Sequence, residues 1–278
     1  TGDDVWSSQA VVDGVVYFGS NDNHLYAVDA KTGEEKWKFE TGYWVTGSPV
    51  VSEGIVYFGS DDKHLYALDA KTGEEKWKFK TEDNVRSFLA VLEGVVYFGS
   101  FDNHLYALDA KTGEEKWKFK TGGGVISSPA VVDGVVYFGS GDNHLYSADS
   151  KTGEKKWKFK TGDCVSSSPT VVDGVVYFGS DDNHLYAVDS KTGEEKWKFK
   201  TGDNVFSSPA VSDDVVYFGS NDNYLYAVDI EAASALGKQE INRQEEEKKA
   251  LAEKQEEADK HGITVEDIRT KYISGDIT

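Results

Sequence analysis

The sequence predicts an all-β fold: a six-bladed β-propeller of four-stranded antiparallel blades, followed by a C-terminal helical tail. Three observations carry this. Val-Tyr-Phe-Gly-Ser occurs six times, starting at Val16, Val56, Val96, Val136, Val176 and Val216, and a period of this length marks a propeller or solenoid array. Each period holds four short β-branched or aromatic runs separated by turn residues, the pattern of one blade. No segment before Glu231 shows helical periodicity.

The first copy justifies the elements in order. Val11 and Val12 lead into Asp13-Gly14, and Val15-Val16-Tyr17-Phe18 comes next. Asp-Gly between β-branched runs is a strong two-residue hairpin signal. Gly19-Ser20 and Asp22-Asn23 mark the second turn. His24 to Asp29 reads as the third strand, and Lys31-Thr32-Gly33 turns the chain again. The fourth strand, Glu35 to Phe39, sets Trp37 and Phe39 on one face and lysines on the other. Lysines on a strand suit an outermost edge, where they discourage pairing with another chain. Pro49, Pro129, Pro169 and Pro209 cannot donate to a ladder and fit at a strand start near the axis.

Residues 1–230 therefore form the propeller, its last copy incomplete, and residues 231–278 a charged helical tail. The tail is rich in Ala, Glu, Lys and Gln, all good helix formers. Gly262 is a candidate cap and Thr264 to Asp267 a candidate second start, which would give a helix pair. After Asp229 the sixth copy has no Lys-Thr-Gly turn and no Trp strand, while Thr1-Gly2 matches the Thr-Gly found after the Trp strand elsewhere. Residues ahead of Thr1 are expected to supply the missing outer strand and close the ring. Thr1 stands where an initiator Met would be, so the chain reads as a processed product or fragment. Its compartment is not legible.

The net charge is -19, of which the tail carries -4. Such a field repels polyanions, so nucleic acid is not an expected partner. No apolar run approaches the roughly 20 residues of a membrane-spanning helix, so no insertion is expected. The one cysteine, Cys164, excludes an internal disulfide framework.

Ala27, Asp29, Thr32, Gly33 and Trp37 compose Ala-x-Asp-x-x-Thr-Gly-x-x-x-Trp, which recurs through Trp77, Trp117, Trp157 and Trp197, with Ser147 replacing Ala in the fourth copy. This resembles the tryptophan-docking motif of PQQ-like (quinoprotein-type) β-propellers. The resemblance implies that Trp37, Trp77, Trp117, Trp157 and Trp197 are structural and pack between adjacent blades. That family includes quinone-binding dehydrogenases and also non-catalytic assembly and sensor proteins, such as the outer-membrane assembly lipoprotein type. The dehydrogenases carry a vicinal cysteine pair over the cofactor; this chain has a lone cysteine. No cofactor, metal or catalytic residue is therefore expected. The residues 267–278 also resemble, weakly, a small SHOCT-type helical module.

Functional expectations come from where the copies differ. Positions 4, 44, 84, 124, 164 and 204 read Asp, Trp, Asn, Gly, Cys and Asn; positions 6, 46, 86, 126, 166 and 206 read Trp, Thr, Arg, Ile, Ser and Phe. Val5, Val45, Val85, Val125, Val165 and Val205, between them, never change. Period-two alternation turns the valines into the packing and their neighbours elsewhere. In an antiparallel meander, successive turns alternate between the two ends of a blade. The variable turns then share one end, which gathers Trp6, Trp44, Arg86, Phe88, Phe101, Ile126 and Phe206. Aromatic residues and Arg are what interface hot spots use, whereas drift on exposed loops favours small polar residues. The expected function is multivalent recognition of a protein or peptide at that face, without catalysis. A cell-envelope or surface assembly scaffold is the alternative, and a quinone-dependent dehydrogenase a third reading. The histidines at 24, 64, 104, 144 and 184 read as structural residues opening a strand, since equivalent residues on different blades lie too far apart to share one ion at about 2.0–2.1 Å.

Overall fold

The structure, a computed structural model, describes residues 1–237. The chain divides into two units, Thr1–Asp229 and Ile230–Thr278. The first is a run of six small antiparallel sheets, as the repeats predict. Blade one comprises β1 (Ala10–Val12), β2 (Val15–Gly19), β3 (His24–Asp29) and β4 (Glu35–Glu40). Blade two comprises β5 (Val50–Ser52), β6 (Ile55–Ser60), β7 (His64–Asp69) and β8 (Glu75–Lys80). Blade three holds β9 (Ala90–Leu92), β10 (Val95–Ser100), β11 (His104–Asp109) and β12 (Glu115–Lys120). Blade four holds β13 (Ala130–Val132), β14 (Val135–Ser140), β15 (His144–Asp149) and β16 (Lys155–Lys160). Blade five holds β17 (Thr170–Val172), β18 (Val175–Ser180), β19 (His184–Asp189) and β20 (Glu195–Lys200). Blade six has only β21 (Ala210–Ser212), β22 (Val215–Gly219) and β23 (Leu225–Asp229). A helix over 230–237 begins the second unit. The helix pair expected beyond it, with Gly262 and Thr264 to Asp267, lies outside the described residues.

Each strand neighbours the next in sequence, so every blade is a plain meander. The hairpin signals act as predicted: Asp13 and Gly14 both have positive φ, 49° and 74°, as a type I′ turn requires. The third turn is built on Asp29, whose Oδ1 accepts from the amides of Lys31 at 3.0 Å and Thr32 at 3.1 Å. Those amides and the Lys36 ammonium hold its carboxyl down at about 2. First strands of successive blades touch, β1 with β5, β5 with β9, and so on to β21. They are the inner strands, and the Trp strands are the outer ones.

The core lies between blades. Tyr17, Leu25 and Ala27 of blade one pack on Val45, Val56, Phe58, Tyr66 and Leu68 of blade two. Gly19 is required there, because a methyl group on it would overlap the Val45 carbonyl oxygen. Trp37, paired across the strands with Ala27, reaches into the next blade and donates its indole N–H to the Ala70 carbonyl at 3.2 Å. The Tyr17 hydroxyl donates to the same oxygen at 2.9 Å, which has two lone pairs to offer. Trp77, Trp117 and Trp157 repeat this bond to Ala110, Ser150 and Ser190. Trp197 is buried as well, at 2% exposure. Four of the five indoles, all but that of Trp197, lie against a glycine of the next blade: a Cβ on Gly73, at φ +75°, would come within 2.8 Å of the Trp37 ring.

Ser147 is the one polar residue at its register position, where Ala27, Ala67, Ala107, Ala187 and Ala227 stand in the other copies. It is completely buried and its Oγ has no partner. An unsatisfied buried hydroxyl costs about 1–3 kcal/mol. Ser147→Ala is therefore expected to raise unfolding free energy by about 1–2 kcal/mol, read from urea denaturation; an unchanged or lower midpoint would contradict it. Trp117→Ala removes an aromatic group and leaves the Ser150 carbonyl the Tyr97 hydroxyl alone, and the same measurement should show a loss of about 3–5 kcal/mol.

Candidate functional site

Main-chain hydrogen bonds sort the turns into two ends. The amides of Asn21, Asp61, Phe101, Gly141, Asp181 and Asn221 donate to the carbonyls of Asp4, Trp44, Asn84, Gly124, Cys164 and Asn204, all at 2.9–3.0 Å. This lattice ties each second turn to the connection that enters its blade. The amides of Ala30, Ala70, Ala110, Ser150 and Ser190 donate to Gly14, Gly54, Gly94, Gly134 and Gly174, tying the two constant turns together at the other end. The carboxylate of the second turn adds a bond within each variable end: Asp62 Oδ2 accepts from the Gly42 amide at 2.8 Å. The variable positions thus sit on a cross-linked framework.

Burial follows the alternation. Val45, Val85, Val125, Val165 and Val205 are fully buried. Of the side chains between them, Trp6 is 67% exposed, Phe88 44% and Phe206 46%. Trp44 and Ile126 are half-buried. Phe101 is half-buried under Arg86, whose guanidinium carbon lies 5.5 Å from its ring centroid.

Arg86 has a partner the sequence did not disclose. Its Nε donates to Asp61 Oδ1 at 2.9 Å and its Nη2 to Oδ2 at 2.6 Å, a two-point fork across blades two and three. The Asp61 side chain is wholly buried while that of Arg86 keeps 40% exposure. Asp61 raises the Arg86 pKa further, through that fork above all. Paired bonds of this kind fix orientation as well as charge. The guanidinium is therefore held edge-in to a carboxylate, with a face on Phe101. Tyr43, 49% exposed and with its ring centroid 5.1 Å from that of Trp44, joins the face without having been expected there. Its signal was available, since the positions equivalent to 43 read Asp or Gly.

Blade five makes this end acidic. Asp181 Oδ1 is buried without a partner, and Ser166 Oγ reaches Oδ2 only at 3.5 Å. Burial, then repulsion from Asp163 and Asp182, pushes its carboxyl up to about 6, against the smaller pull of Ser166. Cys164 is half-buried beside it, and burial with the Asp163 and Asp181 charges pushes its thiol up. Asn21 Oδ1 and Thr46 Oγ1, in blades one and two, are likewise buried without partners.

Two clefts lie away from these residues. One of about 740 Å³ is lined by Tyr17, Lys36, Asp69 and Lys71 of blades one and two. Another of about 510 Å³ is lined by Tyr137, Lys156, Asp173 and Lys191 of blades four and five. Both open at the constant end. The residues that line these two clefts largely recur in every copy, unlike those at the variable end. Among the described residues, no three His, Cys, Asp or Glu side chains are grouped to hold a metal, and no helix is long and apolar enough to cross a membrane. Each repeated His is tied locally, as in His24 Nδ1, 2.8 Å from the Asp22 carbonyl oxygen.

Residues 13–267 match the family model described as "Beta-alanine-activating enzyme, beta-propeller". The chain belongs to that family. No curated protein matches it. Among solved structures, this beta-alanine-activating-enzyme-type propeller is similar to BamB from Moraxella catarrhalis, with a TM-score of 0.73 and 22% identity over 82% of this chain and 74% of that one. It is similar to the computationally designed Ika8 protein, with a TM-score of 0.72 and 18% identity over 80% and 70%. It is also similar to the quinohemoprotein alcohol dehydrogenase ADHIIG from Pseudomonas putida HK5, with a TM-score of 0.66 and 19% identity over 81% of this chain and 52% of that one. At these identities the likeness is one of fold, and it agrees with the PQQ-like repeat read from the sequence.

Asp181 gives this site a pH signature. A carboxyl raised from its ordinary 3.8 to about 6 binds more protons folded than unfolded in that interval. Its contribution to stability is complete below about pH 4 and is lost as pH rises through about 6. Asp181→Asn should therefore flatten the stability profile between those limits and raise the melting temperature at pH 7. Melting curves of both proteins across pH 4–7 check this; parallel profiles would contradict it.

Proposed function

We propose that this propeller is a non-catalytic recognition domain that binds a protein or peptide at its variable end. The observation that carries the reading is the exposure of Trp6, Phe88 and Phe206 on a hydrogen-bonded, otherwise repetitive framework. Large aromatic side chains left in water on a constant scaffold mark interaction surfaces. Trp44, Phe101 and Ile126 add half-buried apolar groups at the same end, and Asp61 keeps the Arg86 guanidinium oriented before any partner arrives. The acidic group around Asp181 adds a region suited to a cationic side chain of the ligand. The family takes its description from an enzyme, and we propose that its catalysis lies outside the propeller. Its one thiol is pushed away from the thiolate form that a nucleophile requires.

Selection of a displayed random-peptide library on the immobilised protein tests this. Enriched peptides should bind a Trp6→Ser/Phe88→Ser/Phe206→Ser variant about tenfold or more weakly, the size expected when aromatic anchors are truncated. A Lys71→Ser/Glu74→Ser variant, changed at the opposite end, should bind them unaltered. Equal binding by all three proteins would remove the variable end as the site.

A further inference from the structure

Asp61 and Asp181 stand at the same place in the second turns of blades two and five. The next blade approaches both in the same way. The Val85 amide donates to the Ser60 carbonyl at 3.2 Å, and the Val205 amide to the Ser180 carbonyl at 3.1 Å. The residues that follow are therefore set as matching pairs: Asp61 with Arg86, and Asp181 with Phe206. Only the first pair can bond. Asp61 accepts from the Arg86 Nε at 2.9 Å and from its Nη2 at 2.6 Å. Asp181 Oδ1 is buried with no partner, and its Oδ2 meets only the Ser166 hydroxyl, at 3.5 Å. A buried acceptor of this kind is an unmet demand for a donor.

The chain around Asp181 does not meet that demand. The charges that act on it, Asp163 and Asp182, have its own sign. Asp182 already accepts from the Gly162 amide and the Tyr186 hydroxyl, both at 2.7 Å. The way in is also open. Under Arg86 the Asp61 side chain has 0% exposure, whereas Asp181 is only half-buried. Where blade two sets Trp44 and Thr46 beside Asp61, blade five sets the smaller Cys164 and Ser166 beside Asp181. The Cys164 thiol lies 3.5 Å from the carbonyl oxygen of Gly141 in blade four, a residue with no side chain to close the space. Phe206, 46% exposed, offers a ring, and a ring is what Arg86 has in Phe101, 5.5 Å from its guanidinium carbon.

We propose that Asp181 and Phe206 form the seat for an arginine side chain of the ligand, its guanidinium forked to the carboxylate as Arg86 is forked to Asp61. The structure thus contains, at blades two and three, a filled example of the site that blades five and six leave empty. A planar guanidinium matches a carboxylate at two points and can also lie on an aromatic face, which an ammonium does less well. The net charge of -19 draws such a group in. The proposal rests on the reading of the variable end as a recognition surface and adds what the ligand there must carry.

A nuclear magnetic resonance titration of the 278-residue protein with N-acetylarginine amide tests it. Saturable shifts of the Ser166, Asp181 and Phe206 amides are expected. N-acetylcitrulline amide, uncharged and of nearly the same shape, should bind about tenfold or more weakly, and Asp181→Asn should weaken the arginine amide as much. That variant loses an unpaired charge and should still fold. Phe206→Arg should place an internal guanidinium on Asp181, exclude the arginine amide and raise the melting temperature at pH 7. Absence of saturable shifts at these amides would overturn the seat. Equal weakening by Asp163→Asn would assign the effect to a diffuse acidic field and overturn it too, as would N-acetyllysine amide binding just as tightly. The library experiment separates this from the wider reading. Peptides that depend on Trp6 and Phe88 but bind Asp181→Asn as well as the parent would retain the recognition surface and overturn the seat. Arginine-amide binding that requires Asp181, in a protein that enriches no peptide, would retain the seat and overturn the wider reading.

Discussion

One contact holds the propeller together: in each of the first four blades an indole from the outer strand lies on a glycine of the following blade and donates to a carbonyl there. The rest of the interface depends on it. Trp37 fixes how close two blades come, Gly73 makes room for it, and the Ala70 carbonyl satisfies both it and Tyr17. Near the axis the equivalent close approach is Val45 against Gly19. The blades are thus fastened at an inner and an outer point. Both use the absence of a glycine side chain to admit a large neighbour.

This fastening frees one end of the structure from a packing role. The second turns and the entering connections are secured by main-chain bonds, which any residue can make. Side chains at positions such as 6, 44 and 101 can therefore change without disturbing the fold. The Asp61–Arg86 fork shows that change there is not independent from blade to blade. Arg86 in blade three reaches back to the second turn of blade two, 25 residues earlier. The ring of Phe101, in blade three's own second turn, lies 5.5 Å from the guanidinium carbon.

The fold was almost wholly legible in the sequence because its signals are local and repeated. Asp13-Gly14 specifies a turn, Trp37 alternates with lysines, and six copies multiply each signal. The tryptophan positions were legible through the resemblance they carry. The buried carboxylate of Asp61 was not, because its partner lies on another blade and only the arc of the sheets brings them together. Asp181 was illegible for the same reason: its raised carboxyl reflects burial and the Asp163 charge, neither of which composition reveals. The incompleteness of the end blades was half legible. The missing Trp strand could be counted, but the exposure of Val5 and Leu225 needed coordinates.

The sameness of the inter-blade contacts has an evolutionary corollary. The first four junctions bear no mark of their rank in the series, since each is made from the same glycines, valine and indole. Recombination between copies can delete or duplicate a forty-residue unit and leave each remaining junction chemically unaltered. Such an array can therefore exchange its outward-facing letters by shuffling whole modules, and acquire new combinations faster than by point substitution.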